Sequence, residues 1–249
     1  GGIKFLPNLR YLLDPQNTDI YRTEIITQLA DIADVYINCA FGCSHRVTKS
    51  IKLLPQLMRR KGKPVVSGVL LYEEIARLGK FGSKVLSKPR KTLVVAGGAK
   101  VSDKIEILKQ FVSTGVKTIL IGGKMANAFL LAQQQKELLK PFQKDTLPTK
   151  LQSQADNENI ELLNEINLAE KIIELAEVNK VSLCLPEDYK IVTDFQSTIF
   201  ENKSSPDFSK ELQLDLGEKT IAQFEDLFKD IENVFWNGPL GAYDHPACS

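Results

Sequence analysis

"AGGAKVSDKIEIL", residues 96–108, decides how the rest of the chain is read. The apolar run Leu93-Val94-Val95 leads into it, and Ile105, Leu108, Phe111 and Val112, spaced for one helical face, lead out. A strand that ends in Gly97-Gly98 and passes into a helix lets another group approach the backbone closely at the turn. Lys104 poses the question. A cation in the first turn of a helix predicted over Asp103–Val112 meets the positive end of the helix dipole. A bound anion resolves this, because the free N–H groups at a helix start receive phosphate and Lys100 and Lys104 add charge beside them. The alternative is a capping box of Asp103 and Glu106 with both lysines solvated.

The same unit recurs downstream. Strand Thr118–Ile121 runs into Gly122-Gly123 and a helix over Met125–Gln135, and strand Asn233–Trp236 ends in the loop Asn237-Gly238-Pro239-Leu240-Gly241. Further strands are predicted at Ile3–Leu6, Val35–Ile37, Pro64–Val66, Leu93–Ala96 and Val181–Leu185. Further helices are predicted at Thr18–Ala33, Val69–Leu86, Leu168–Glu177 and Thr220–Phe228. Strands alternating with helices at this spacing imply an α/β chain with a parallel sheet covered on its faces. The stretch from Gln133 to Asn167, rich in Gln, Lys, Asn and Glu, reads as a surface insertion. Residues 1–68 supply only a few short strands and read as part of a domain, and the chain stops soon after the Asn237 loop.

A net charge of +1 gives no reason to expect nucleic acid or an anionic membrane as a bulk partner. No apolar run is long enough to span a membrane, and the first residues do not resemble a signal peptide. Four cysteines without close pairing fit a reducing compartment. Cys39, Cys43 and His45 lie near one another in sequence, but a fourth ligand and a paired motif are missing, so no metal site is assigned and they read as small loop or core residues. Arg10 in "PNLRY" and His45-Arg46 in "NCAFGCSHR" each follow a short predicted strand. They read either as a cluster for bidentate recognition of carboxylate or phosphate, or as surface residues.

The blocks "PNLRY", "INCAFGCSHR", "GGAKVSDKI", "LIGGKMANAFL", "LDLGEKTI" and "VFWNGPLGAYD" come in an order that resembles phosphoglycerate kinase, from about Gly2 to the last residue and more weakly between Gln133 and Gln213. The resemblance implies two Rossmann-like lobes with parallel sheets joined by a long helix. Residues 1–68 would be a partial N-terminal phosphoglycerate-binding lobe, 69–88 the interdomain helix, and 89–249 a nucleotide-binding lobe incomplete at its C-terminal end. Arg10, His45 and Arg46 match positions of the family's basic patch for 3-phosphoglycerate. Lys100 and Lys104 match the lysines that handle the phosphates, and Gly97, Gly98, Gly122 and Gly123 the nucleotide wall. Asn237, Gly238 and Pro239 match the loop beside the nucleotide, and Asp244 stands where the family usually has a Glu that contacts ribose. The implied activity is phosphoryl transfer between 1,3-bisphosphoglycerate and ADP in glycolysis, with Mg-ADP or Mg-ATP, in the cytoplasm or within an intracellular assembly.

The departures are specific. The family's Asp-Phe-Asn and His-Leu-Gly-Arg segments, its glycine-rich loop with the metal-binding Asp and its final phosphate loop have no counterpart in these 249 residues. Cys39 replaces an Asp, Thr48 a histidine, and Lys124 the third glycine of a Gly-Gly-Gly run, where it puts a long side chain beside the expected nucleotide. The chain alone is therefore expected to be inactive. A non-catalytic subunit of a larger protein assembly and a nucleotide-binding module without transfer are the alternatives.

Overall fold

The computed structural model describes residues 3, 5–6, 20–139, 157–192, 194–195, 197, 199–204, 211–245 and 248. The chain divides into two compact units, Gly1–Gly82 and Ser83–Ser249.

In the first unit α1 spans Ile20–Ile32, β1 Tyr36–Asn38, α2 Leu54–Arg60 and β2 Val65–Ser67. The two strands pair in parallel, Tyr36 opposite Val65 and Asn38 opposite Ser67. Ile26 and Ala30 of α1 bury against Leu54 and Met58 of α2, with Leu29, Tyr36 and Val65 around them. The last carbonyls of a helix lack partners within it. Here the Lys63 ammonium supplies them, donating to the carbonyls of Ala30 (3.0 Å), Asp31 (2.6 Å) and Ala33 (2.7 Å). The cation also offsets the negative end of the helix dipole. Of the strand predicted at Ile3–Leu6, the described residues Ile3, Phe5 and Leu6 are exposed and lie in no ladder. Helix α3, Val69–Ser87, runs across the division between the units. Its period was legible, but Leu70, Ile75 and Leu78 of its apolar stripe stand exposed.

The second unit continues with β3 (Thr92–Ala96), α4 (Ile105–Thr114), β4 (Thr118–Ile121), α5 (Ala126–Leu139), α6 (Asn157–Asn179) and β5 (Ser182–Cys184). Then come β6 (Tyr189–Val192), β7 (Glu201–Lys203), β8 (Leu212–Leu216), α7 (Glu218–Leu227) and β9 (Asn233–Asn237). Among the described residues the parallel sheet has the order β5-β4-β3-β9. Every residue of β3 and β4 is buried, as expected of strands covered on both faces. Leu93, Val95 and Leu120 pack on one face with Leu216 and Phe224. On the other face Phe235, opposite Val94, meets Phe111 of α4 with ring centroids 4.8 Å apart. Among the described residues β9 is an edge strand, with Val234 and Trp236 exposed.

The structure extends the sequence reading here. β6, β7 and β8 form a second, antiparallel sheet in the order β7-β6-β8. Its strands are short and half polar, so neither an apolar run nor a helical period marks them. The insertion predicted over Gln133–Asn167 is helical at both ends, where α5 and α6 extend well past the predicted bounds.

Asp188 ties the start of β6 to the start of α7. It is 3% exposed and precedes β6. Its carboxylate accepts the N–H groups of Lys219 (3.1 Å) and Thr220 (2.8 Å) and the Thr220 hydroxyl (2.7 Å), capping α7 from outside the helix. Gly217 is required there, because a Cβ would lie 2.2 Å from that carboxylate. Burial alone would raise the Asp188 pKa, but the hydrogen bonds from Thr220 and Lys219 outweigh it and hold it below the usual value. A lowered folded value means stability that is present above the unfolded pKa of about 3.9 and is lost as pH falls through the folded value. Asp188→Ala should cost about 2–4 kcal/mol in urea unfolding at neutral pH. Asp188→Asn should flatten the acid limb of the stability curve; an unchanged limb would remove Asp188 from this role.

Candidate functional site

The carboxyl ends of β3, β4 and β9 meet at one rim. The Gly97 N–H donates to the Asn237 carbonyl (3.0 Å) and the Gly122 N–H to that of Ala96 (2.9 Å). The Gly123 N–H donates to the Leu240 carbonyl (2.8 Å) and the Met125 N–H to that of Gly98 (3.0 Å). Three loops, one after each strand, are thus joined by their own backbones. Gly123 sits at φ +66°, and a Cβ there would lie 2.7 Å from the Gly98 oxygen. The glycines expected to admit a ligand therefore first admit one another. Gly98 is the one of them that faces space: a Cβ on it would meet only the Lys104 Cε, at 3.8 Å.

Lys104 has a neutral partner across the rim. It is the N-cap of α4, one residue before the helix, and its ammonium donates to the Asn237 Oδ1 at 2.5 Å. Asp103 lies outside the helix, and no side chain caps α4 at Lys104, so the Asp103–Glu106 capping box does not form. A more distant carboxylate serves the turn instead: Glu165 of α6 accepts the N–H groups of Val101 and Ser102, the latter at 3.1 Å. One helical turn away Glu161 pairs with the Lys100 ammonium. That contact raises the Lys100 pKa and lowers the Glu161 pKa, with Lys124 also lowering the latter.

A cavity of about 240 Å³ opens at the rim, walled by Gly98, Gly123, Lys124, Gln213, Pro239 and Leu240 among others. It falls below the roughly 300–1,000 Å³ that encloses drug-sized ligands. The wall is mostly apolar, and Gln213 adds a buried side-chain NH₂ without a hydrogen-bond partner. Lys124 is exposed at the wall. Asp244 is exposed in the following turn and is not among the residues that line this cavity. The structure thus brings together Gly97, Gly98, Gly122, Gly123, Lys104, Asn237, Gly238 and Pro239, with Lys100 beside them. Sequence reasoning missed Glu161, Glu165 and Gln213. Glu161 and Glu165 have partners remote in sequence, and Gln213 lies in a short, half-polar strand.

The first unit places its candidates in a loop of its own. His45 is exposed and Arg46 half-buried, in turns after a short 3-10 helix at Phe41–Cys43. Arg10 lies outside the described residues. Cys39 and Cys43 are exposed free thiols. Among the described residues no group of three or more His, Cys, Asp or Glu side chains is arranged to hold a metal ion.

Known proteins match this architecture. The family model "Phosphoglycerate kinase" matches residues 1–249. A phosphoglycerate kinase of Lactobacillus acidophilus is 34% identical over 218 residues, 87% of this chain and 48% of that protein. That of Moorella thermoacetica is 31% identical over 252 residues, 99% of this chain and 56% of that protein. The solved phosphoglycerate kinase of Coxiella burnetii superposes with a TM-score of 0.62 at 26% identity, covering 90% of this chain and 51% of that one. A parallel sheet with helices between its strands and glycine loops at its carboxyl edge defines a doubly wound type of α/β fold. The chain belongs to the phosphoglycerate kinase family, and it spans about half the length of the curated relatives it matches.

Replacing Gly123 by Ala tests whether the loops depend on their backbone contact. A positive φ and an overlap with the Gly98 oxygen should together cost about 1–3 kcal/mol. Urea unfolding reads the loss; a neutral substitution would mean that the rim is looser than described.

Proposed function

We propose that this chain carries the nucleotide-handling machinery of a phosphoglycerate kinase, which transfers a phosphoryl group between 1,3-bisphosphoglycerate and ADP. The observation that carries the reading is the interlocked glycine rim with the Lys104 ammonium held at its mouth by Asn237. In this reading residues 89–249 form the nucleotide lobe, 69–88 the helix between lobes, and 1–68 part of the lobe that holds 3-phosphoglycerate. Arg10, His45 and Arg46 contribute to that basic patch. The base enters the cavity beside Gly98, Gly123 and Pro239, and the phosphates lie over Gly97-Gly98 toward Lys104 and Lys100. Asp244 contacts the ribose.

A β-phosphate oxygen of ADP attacks the acyl phosphate in line, and the bond from phosphorus to the carboxyl oxygen breaks. The chemistry asks little of the protein beyond alignment and neutralisation of charge. Lys104 is suited to the second task, because its ammonium is placed in advance by a neutral oxygen rather than a carboxylate. A divalent cation bound with the nucleotide would offset charge on the phosphate oxygens; among the described residues no group of three or more His, Cys, Asp or Glu side chains is arranged to hold it, so no step is assigned to it. The site is proposed to work in the cytoplasm; no helix among the described residues is long and apolar enough to cross a membrane.

A second reading, a family member that binds nucleotide or an assembly partner without transfer, is favoured by the pairing of Lys100 with Glu161.

Two outcomes are expected of the purified 249-residue chain. In a coupled assay with both substrates and magnesium it should show no turnover, against roughly 1–100 per second for typical kinases. The electrostatic stabilisation of several phosphates needs more cations than Arg10, Arg46, Lys100 and Lys104, and each lost donor costs on the order of a hundredfold. Turnover at a kinase's rate would contradict this. Lys104→Ala should weaken ADP binding by about 1–3 kcal/mol by calorimetry; unchanged affinity would count against the phosphate position.

A further inference from the structure

Helix α6 brings two carboxylates to the place where the reading above puts phosphate. Glu161 and Glu165 are four residues apart and so share one face of the helix. Two like charges at that spacing repel each other, and on this helix each has found a different partner on the turn before α4. Glu161 takes the Lys100 ammonium, and Glu165 takes the two N–H groups of Val101 and Ser102. Asp103 adds a third negative charge near Lys100, and Lys124 a second positive one near Glu161. The carboxylates are held there by burial further along α6, where Ile166, Ala169, Ile172, Ile173 and Ala176 pack into the core.

Each contact offered to these carboxylates is one that an anionic ligand would use: an ammonium and a pair of converging backbone N–H groups. A phosphate that arrives at Lys100 must either displace Glu161 or share the lysine with it, and Glu165 then stands beside the incoming charge. Lys104 differs, since its partner Asn237 is neutral and loses nothing by yielding to a phosphate. The two lysines matched to phosphate handling are therefore inequivalent here, one available and one occupied.

We infer that Glu161 and Glu165 act as an internal competitor for phosphate, occupying Lys100 and the 101–102 turn and setting the affinity of the rim for polyphosphate ligands. The inference rests on the reading of the glycine rim as a phosphate site, and it assigns to α6 a part in ligand affinity beyond its place in the core.

The test uses the full 249-residue chain and its E161Q/E165Q variant, with tripolyphosphate and ADP titrated separately by calorimetry at low salt. Glutamine keeps an oxygen that accepts the Val101 and Ser102 N–H groups, so the turn retains its cap. Tripolyphosphate should bind the double variant roughly three- to tenfold more tightly than the parent, the scale of one exposed ion pair and one charge-assisted hydrogen bond. Adding K100A should abolish the gain. If the double variant fails to fold, E161Q alone, at an exposed position, should give the smaller part of the same gain. Equal or weaker tripolyphosphate binding in a folded variant overturns the inference, as does absence of binding by every protein. A gain for tripolyphosphate without ADP binding supports the inference while removing the nucleotide reading.

Discussion

The rim depends on backbone-to-backbone contact between loops that follow different strands. Gly97 meets the Asn237 carbonyl, and Gly123 meets the loop of Gly98 on one side and the Leu240 carbonyl on the other. These contacts require bare backbone, and they require β3 to stand between β4 and β9. That order places the three loops side by side. The same order buries β3 completely, which is why Leu93–Ala96 is an unbroken apolar run. The demands of the core and of the rim therefore converge on the strand and turn from Thr92 to Gly98.

Once the rim is fixed, the charges around it follow. Lys104 is the last residue before α4, so its stem lies over Gly98 and its ammonium reaches Asn237 on the neighbouring loop. Lys100 sits on the outer side of the same turn, where α6 passes, and is drawn to Glu161 instead. Two lysines four residues apart thus enter different electrostatic settings because different elements pack beside them. A phosphate ligand would meet a prepared cation at one and a competing carboxylate at the other. That asymmetry bears on both readings of the family membership, since an enzyme must overcome it and a non-catalytic relative need not.

The sequence made the parallel sheet readable, because buried strands ending in glycine and followed by a 3.6-residue period leave two signals at once. It also located the rim residues Gly97, Gly98, Gly122, Gly123 and Asn237, and it raised the question of Lys104. It did not make Glu165 readable. That residue caps a turn 64 positions away, and a glutamate in a polar helix resembles any solvated residue. The antiparallel sheet escaped for a related reason: "YKIV", "ENK" and "LQLDL" are short and half polar, and only pairing with one another defines them. The capping box weighed as the alternative does not form. Asp103 and Glu106 have the right spacing, but the chain turns once more before the helix begins, and a remote carboxylate takes over the N–H groups near Lys100. The basic-patch assignment rests on the family pattern, with His45 and Arg46 in a loop of the first unit and Arg10 outside the described residues.

The claim on which the rest stands is that the interlocked glycine loops receive a nucleotide. Amide chemical shifts of the isotopically labelled chain, followed during titration with Mg-ADP, report on that claim residue by residue. The account predicts the largest changes at Gly97, Gly98, Gly122, Gly123, Gly238 and Lys104, with smaller ones at Val101 and Ser102. Changes confined to residues 20–67, or no change at saturating nucleotide, would contradict it.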